Sequence, residues 1–146
     1  MSSRQICVGP WDTSRQGRQG QALWYNPLDI SSLSTISYGG SLIGSILVAC
    51  YKPRPGCEDA LLELVRNHLP PLRAEGLVTE RTPIVMRPAN GTIVEIFEWV
   101  SQEAIAGAHK NPTVLDLWKR FEAVSWYETP SNLPEFQNMF GHFEPI

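Results

Sequence analysis

Two side chains are placed to move protons. His109 closes a small-residue helical stretch, Glu103 to Ala108, and is followed by Lys110-Asn111-Pro112. Imidazole titrates near neutrality, so His109 can take a proton from a phenolic substrate, and the carbanion so formed can react with O2 without a cofactor. Ile105 stands four residues back, which puts the ring on the same helix face as an apolar side chain. The same position has a plainer use, interaction of a histidine with the last carbonyls and the dipole of its helix. The second side chain is Glu95, between Ile93 and Phe97 on one face of a strand-like run. Covered there, a carboxylate has its pKa raised by desolvation and serves as base or hydrogen-bond donor. Its alternative fates are an exposed edge or a structural pair with Arg81 or Arg87.

Around these two stand groups that can shape a pocket. Phe97, Trp99, Trp118 and Trp126 can wall a planar ligand, although Trp118 lies on a helix stripe that reads first as core. His68, also on an apolar helix face, lines the same cavity or is a satisfied core histidine. Glu98, on the opposite strand face from Glu95, reads as a rim or interface residue. The three cysteines, Cys7, Cys50 and Cys57, lack metal-ligand spacing, so neither a metal site nor a disulfide framework is expected; Cys50 and Cys57 read as small hydrophobes.

The elements that must position these groups show in the periodicity. Residues 45–52 are apolar on both alternating faces, as a strand covered on two sides is. Leu61, Leu64, Val65, His68 and Leu69 form one stripe of an amphipathic helix over 57–69, which Pro70-Pro71 kinks or ends. Residues 77–87 read as a strand interrupted at Pro83, Asn90-Gly91 as a hairpin turn, and 92–100 as a returning strand apolar on both faces. Ser101 is a good N-cap for a helix running to His109. Asn111-Pro112 caps and opens another, with Val114, Leu117, Trp118 and Phe121 as its buried face. Residues 124–129 have strand propensity. The order is β-α-β-β-α-β, an α+β fold of the ferredoxin-like kind, with a four-stranded antiparallel sheet and helices on one face. The other face is apolar too, so a second subunit packed sheet to sheet is expected to cover it.

The chain has 146 residues, 42% hydrophobic and 18% charged, with a net charge of -3. That length matches one domain, and that charge gives no reason to expect nucleic acid or an anionic membrane as partner. Residues 1–44 read as an irregular arm rich in Ser, Gln and Gly, residues 45–130 as the folded domain, and residues 131–146 as an extension packed on the domain or its partner. No apolar run reaches the roughly 20 residues of a membrane span, and no signal-peptide pattern is present, so a cytoplasmic protein is expected.

The run "SILVACYKPRPG", the strand end Glu98-Trp99 with its Ser101/Glu103 helix start, and Ala108-His109-Lys110-Asn111-Pro112 leading into a Trp-bearing helix resemble the dimeric α/β-barrel superfamily. Within it the chain is similar to antibiotic biosynthesis monooxygenase-like small proteins, over about residues 45–128. The resemblance implies a homodimer with a ligand space between helix and sheet, and a cofactor-independent monooxygenase or related proton-transfer enzyme acting on a small aromatic quinol or phenol. His109 is then the base, Glu95 or a tyrosine orients the substrate, and no cofactor is needed. Cyclases of this fold pair a helical histidine with a tyrosine, for which Tyr51 and Tyr127 are both available. Haem degraders of the fold use a first-strand asparagine, which this chain lacks. A non-catalytic ligand-binding or structural module of the same fold is the alternative reading.

Overall fold

A computed structural model describes residues 44–146, so the irregular arm expected before residue 44 lies outside the described residues. In chain order the elements are β1 (Ser45–Pro53), α1 (Glu58–Arg66), α2 (Leu69–Ala74), β2 (Ile84–Arg87), β3 (Ile93–Trp99), α3 (Gln102–Ala108), α4 (Pro112–Val124), β4 (Ser125–Glu128), a 3-10 turn (Pro130–Asn132), α5 (Pro134–Gln137) and β5 (Glu144–Pro145). The fold is α+β, built on one open antiparallel sheet in the order β4-β1-β3-β2-β5. The sheet therefore has five strands where the sequence pattern predicts four. The addition is β5, which pairs Pro145 with Met86 and Glu144 with Arg87 along the outer side of β2. That side would otherwise present unpaired peptide groups.

Strand alternation divides the sheet into two faces. Tyr51 on β1 and Ile93, Glu95, Phe97 and Trp99 on β3 look toward the helices, where Leu61, Val65, Val114, Leu117 and Phe121 meet them in the main core. Each such fully buried side chain contributes about 1.5–3 kcal/mol of transfer free energy. On the opposite face Cys50 and Val94 are covered by Leu133, from the segment after β4, with Met86, Ile96 and Phe143 alongside. The chain's own C-terminal residues thus cover part of a face assigned from sequence to a second subunit, while Ile46, Val48 and Ile84 on it stay exposed.

Prolines and caps set the helix ends. Pro70 and Pro71 do not kink one long helix. α1 has ended at Arg66, and the prolines occupy the first turn of α2, where a missing N–H leaves no intrahelical bond unmade. His68 is left at the joint. Ser101 Oγ accepts from the Ala104 N–H, and Asn111 Oδ1 accepts from the N–H groups of Thr113 and Val114, so both N-caps expected from sequence are in place. Asn111 also donates through Nδ2 to Glu75 Oε2 at 2.7 Å, tying α4 to the residue that ends α2. Asn111→Ala is expected to cost about 1–2 kcal/mol, the upper part of the N-cap range, read as a lower urea midpoint at unchanged m-value. The strand predicted over 77–87 is shortened by Pro83. Val78 bridges to Trp99 and β2 proper begins at Ile84. The hairpin turn closes with the Gly91 N–H donating to the Pro88 carbonyl, and Gly91 has φ +80°, a backbone that favours glycine.

Candidate functional site

The antiparallel register sets Ala49 opposite Glu95 and Tyr51 opposite Ile93, so Tyr51 and Glu95 are diagonal neighbours on the helix-facing side. The Tyr51 hydroxyl donates to Glu95 Oε2 at 3.1 Å. His68, brought over the sheet by the α1–α2 joint, places Nδ1 2.8 Å from the same oxygen. All three groups are enclosed, with Tyr51 and His68 each 3% exposed and Glu95 fully buried. Aromatic rings hold them. His68 meets Phe97 and Phe121 edge-on at 5.3 and 4.9 Å, while Tyr51 packs against Phe121 at 4.9 Å and Tyr127 at 5.6 Å.

Burial, reinforced by the adjacent Glu95 carboxylate, pushes the Tyr51 phenol well above its ordinary range, so Tyr51 keeps its proton and is a donor. With Glu95 ionised, Oε2 accepts from Tyr51 and also from a proton on His68 Nδ1, which leaves Nε2 as the imidazole's reactive nitrogen. The other carboxylate oxygen, Glu95 Oε1, is buried with no hydrogen-bond partner among the described residues. An enclosed carboxylate is costly unless its lone pairs are met, so an orphaned oxygen marks where a water or ligand donor belongs. The cluster has the parts of a proton-transfer centre: an imidazole oriented by a carboxylate, and a hydroxyl that fixes the carboxylate in turn.

The sequence-predicted residues divide between this cluster and other places. Tyr51, His68 and Glu95 come together, Phe97 and Tyr127 touch them, and Trp99 is one ring further out, 5.6 Å from Phe97 in the core. His109 is elsewhere. It shares the side of Ile105, which packs on the core, but the fully buried position is taken by Ala108, about 100° round, and His109 itself is exposed at the end of α3. There it meets Trp118 at 5.0 Å, so this pair is separate from the Glu95 cluster. Nor does Glu95 pair with Arg81 or Arg87. Its partner is His68, and Phe121, read from sequence only as core, is the ring that touches both His68 and Tyr51.

Arg81 serves Glu98 instead, with Nε 2.7 Å from Oε2 on the far side of β3. That hydrogen bond, helped by the Thr79 hydroxyl, holds the Glu98 carboxyl below its ordinary value. A depressed carboxyl contributes stability above its unfolded pKa that is lost as pH falls through its folded pKa. Arg81→Ala is therefore expected to move the Glu98 titration upward toward the model-peptide value, checked by carbon-detected NMR of the side-chain carboxyl.

The cysteines play no part in the cluster. Cys50 is buried with its thiol pushed up to about 11, by burial first and by Glu128 second, which makes it a poor nucleophile at neutral pH. Cys57 departs from its reading as a small hydrophobe: it is disulfide-bonded. No group of acidic, histidine or cysteine side chains among the described residues is arranged to hold a metal ion, and no described helix is long and apolar enough to cross a membrane. No protein-family model matches the sequence, and no curated protein is significantly similar to it.

Proposed function

We propose that this chain is a cofactor-independent proton-transfer enzyme, a monooxygenase of small aromatic quinols, phenols or anthrones, with His68 in the catalytic role that sequence alone gives to His109. The single observation that carries the reading is the Glu95 carboxylate, sealed between sheet and helices, addressed on one oxygen by Tyr51 and His68 and left unpartnered on the other. In the mechanism His68 Nε2 removes the acidic proton of the bound substrate and Glu95 stabilises the imidazolium that forms. The resulting carbanion is oxidised by O2. For an anthrone methylene, one oxygen atom becomes the new carbonyl and the other leaves as water, with both methylene hydrogens.

The finer fold assignment belongs to the same proposal. The order β-α-β-β-α-β with β4-β1-β3-β2 as the inner sheet fits the ferredoxin-like pattern, and the exposed Ile46, Val48 and Ile84 offer a second copy an apolar face opposite the cluster. The resemblance to antibiotic biosynthesis monooxygenase-like proteins supports the reaction class.

The test is oxygen uptake with a panel of anthrones and hydroquinones at roughly pH 6 to 9, alongside deuterium exchange at the substrate carbon under argon. Uptake with one product carbonyl per O2, together with anaerobic exchange, is the expected result. Absence of both uptake and exchange would overturn the proposal. Enclosure of all three groups at 0–3% exposure favours a second reading, a binding or structural module, which ligand binding without exchange would establish.

A further inference from the structure

A cleft of about 170 Å3 opens on the helix-facing side of the sheet, lined by Pro53, Glu58, Asp59, Leu62, Arg87, Gly91 and Ile93. Its position follows from strand alternation. Pro53 is two residues beyond Tyr51 on β1, and Ile93 is two residues before Glu95 on β3. Arg87 is likewise two beyond Val85, the residue paired with Glu95 across β2 and β3. Each lies on the same face as its counterpart and one step along the strand, roughly 7 Å away. The cleft is therefore the space next to the Tyr51–Glu95–His68 cluster, and Ile93, 3% exposed, is the partition between them.

Size and charge select an occupant. An apolar cavity of about 150 Å3 accommodates a benzene ring, so this cleft holds one ring and not a fused pair. Glu58 and Asp59 in the first turn of α1 stand with Arg87 around it, and Glu95, whose Oε1 is buried and unpartnered, is the next residue on the same face of β3 after Ile93. Two carboxylates against one guanidinium, with the Glu95 carboxylate one same-face step along β3, disfavour an anionic ligand, and a buried lone pair demands a donor.

We propose that this cleft is the binding site for an uncharged single-ring phenol, whose hydroxyl donates to Glu95 Oε1 once the Ile93 side chain gives way. The inference rests on the proton-transfer reading of the cluster and narrows its substrates to monocyclic hydroquinones without acidic substituents, in which one hydroxyl is held by Glu95 and the other gives its proton to His68 Nε2. Ile93 is the residue that sets access, since its branched side chain is confined to few rotamers.

The experiment is an anaerobic NMR titration of the full chain with hydroquinone, 1,4-dimethoxybenzene and 4-hydroxybenzoate. Hydroquinone is expected to bind saturably with amide shifts at Gly91 and Ile93, and the other two compounds roughly tenfold or more weakly. Leu62→Trp, which fills the cleft from a half-buried helix position, should abolish binding. Asp59→Trp, at an exposed position on the rim, gives the same test if the first variant is unstable. Ile93→Ala should admit 1-naphthol, which the parent excludes. Equal affinity for the dimethyl ether, absence of hydroquinone binding, or binding unchanged in a folded tryptophan variant would overturn the inference. Turnover that survives in Leu62→Trp would remove the cleft and leave the proton-transfer proposal standing, whereas hydroquinone binding without exchange or oxygen uptake would do the reverse.

Discussion

Glu95→Ala is expected to destabilise the fold by about 3–5 kcal/mol, since two buried donors lose their acceptor at about 1–3 kcal/mol each and a void is left besides. The carboxylate is the shared acceptor of two donors that have no route to water: Tyr51 and His68 are each 3% exposed, and both address Oε2. Alanine leaves both donors unmet and opens a void beneath Phe97 and Phe121, so desolvation and cavity costs add. Glu95→Gln separates the terms. A glutamine whose carbonyl takes the Oε2 position still accepts from both groups and conserves volume, at a cost of about 1–2 kcal/mol from the lost charge on the two hydrogen bonds. Urea unfolding followed by tryptophan fluorescence measures both variants. Since domains are held by only about 5–15 kcal/mol, the alanine variant should unfold at markedly lower denaturant and the glutamine variant close to the parent. Equal, small losses in both would mean that Oε2 is not the acceptor the geometry shows.

The cluster also marks how far the sequence could be read. Local pattern carried most of the fold, because local pattern has local causes. The alternation of Ile93, Phe97 and Trp99 against Val94 and Ile96 is a strand between two layers, and the oxygens of Ser101 and Asn111 cap helices within three residues of themselves. Glu95 and His68 were legible as candidates for the same reason, a polar group on an apolar stripe, and Tyr51 only through the tyrosine that the family resemblance implies. Their meeting was not. His68 and Tyr51 are 27 and 44 residues from Glu95 along the chain, and no spacing encodes a contact made by register and by a helix joint. The arginines nearer in sequence were therefore the natural guess for its partner. His109 shows the limit of a local argument: sharing a helix side with Ile105 does not say how far the ring is covered, and at the end of α3 it is Ala108 that is buried while His109 is exposed. β5 escaped because two residues, one of them Pro145, carry no periodicity at all.

His68→Ala is expected to lower hydroquinone turnover by about 10²–10⁴, the usual contribution of a positioned general base, while His109→Ala leaves it within roughly a factor of two. The contrast is the point of the experiment. Both histidines lie beside an aromatic ring, but only His68 has a carboxylate 2.8 Å from Nδ1 to fix its tautomer and to stabilise the imidazolium. Loss of the base should appear in kcat, since the proton is transferred in the transition state and the substrate's contacts with the cleft persist. Tyr51→Phe supplies the intermediate case. It removes one of the two donors to Oε2 without changing ring packing on Phe121, so Glu95 is less firmly held and turnover should fall by roughly tenfold through poorer orientation of His68. Oxygen-electrode rates on folded variants, verified by circular dichroism, give all three values. Retention of full rate by His68→Ala alongside loss in His109→Ala would return the base to the exposed end of α3 and leave the buried cluster a purely structural part of the core.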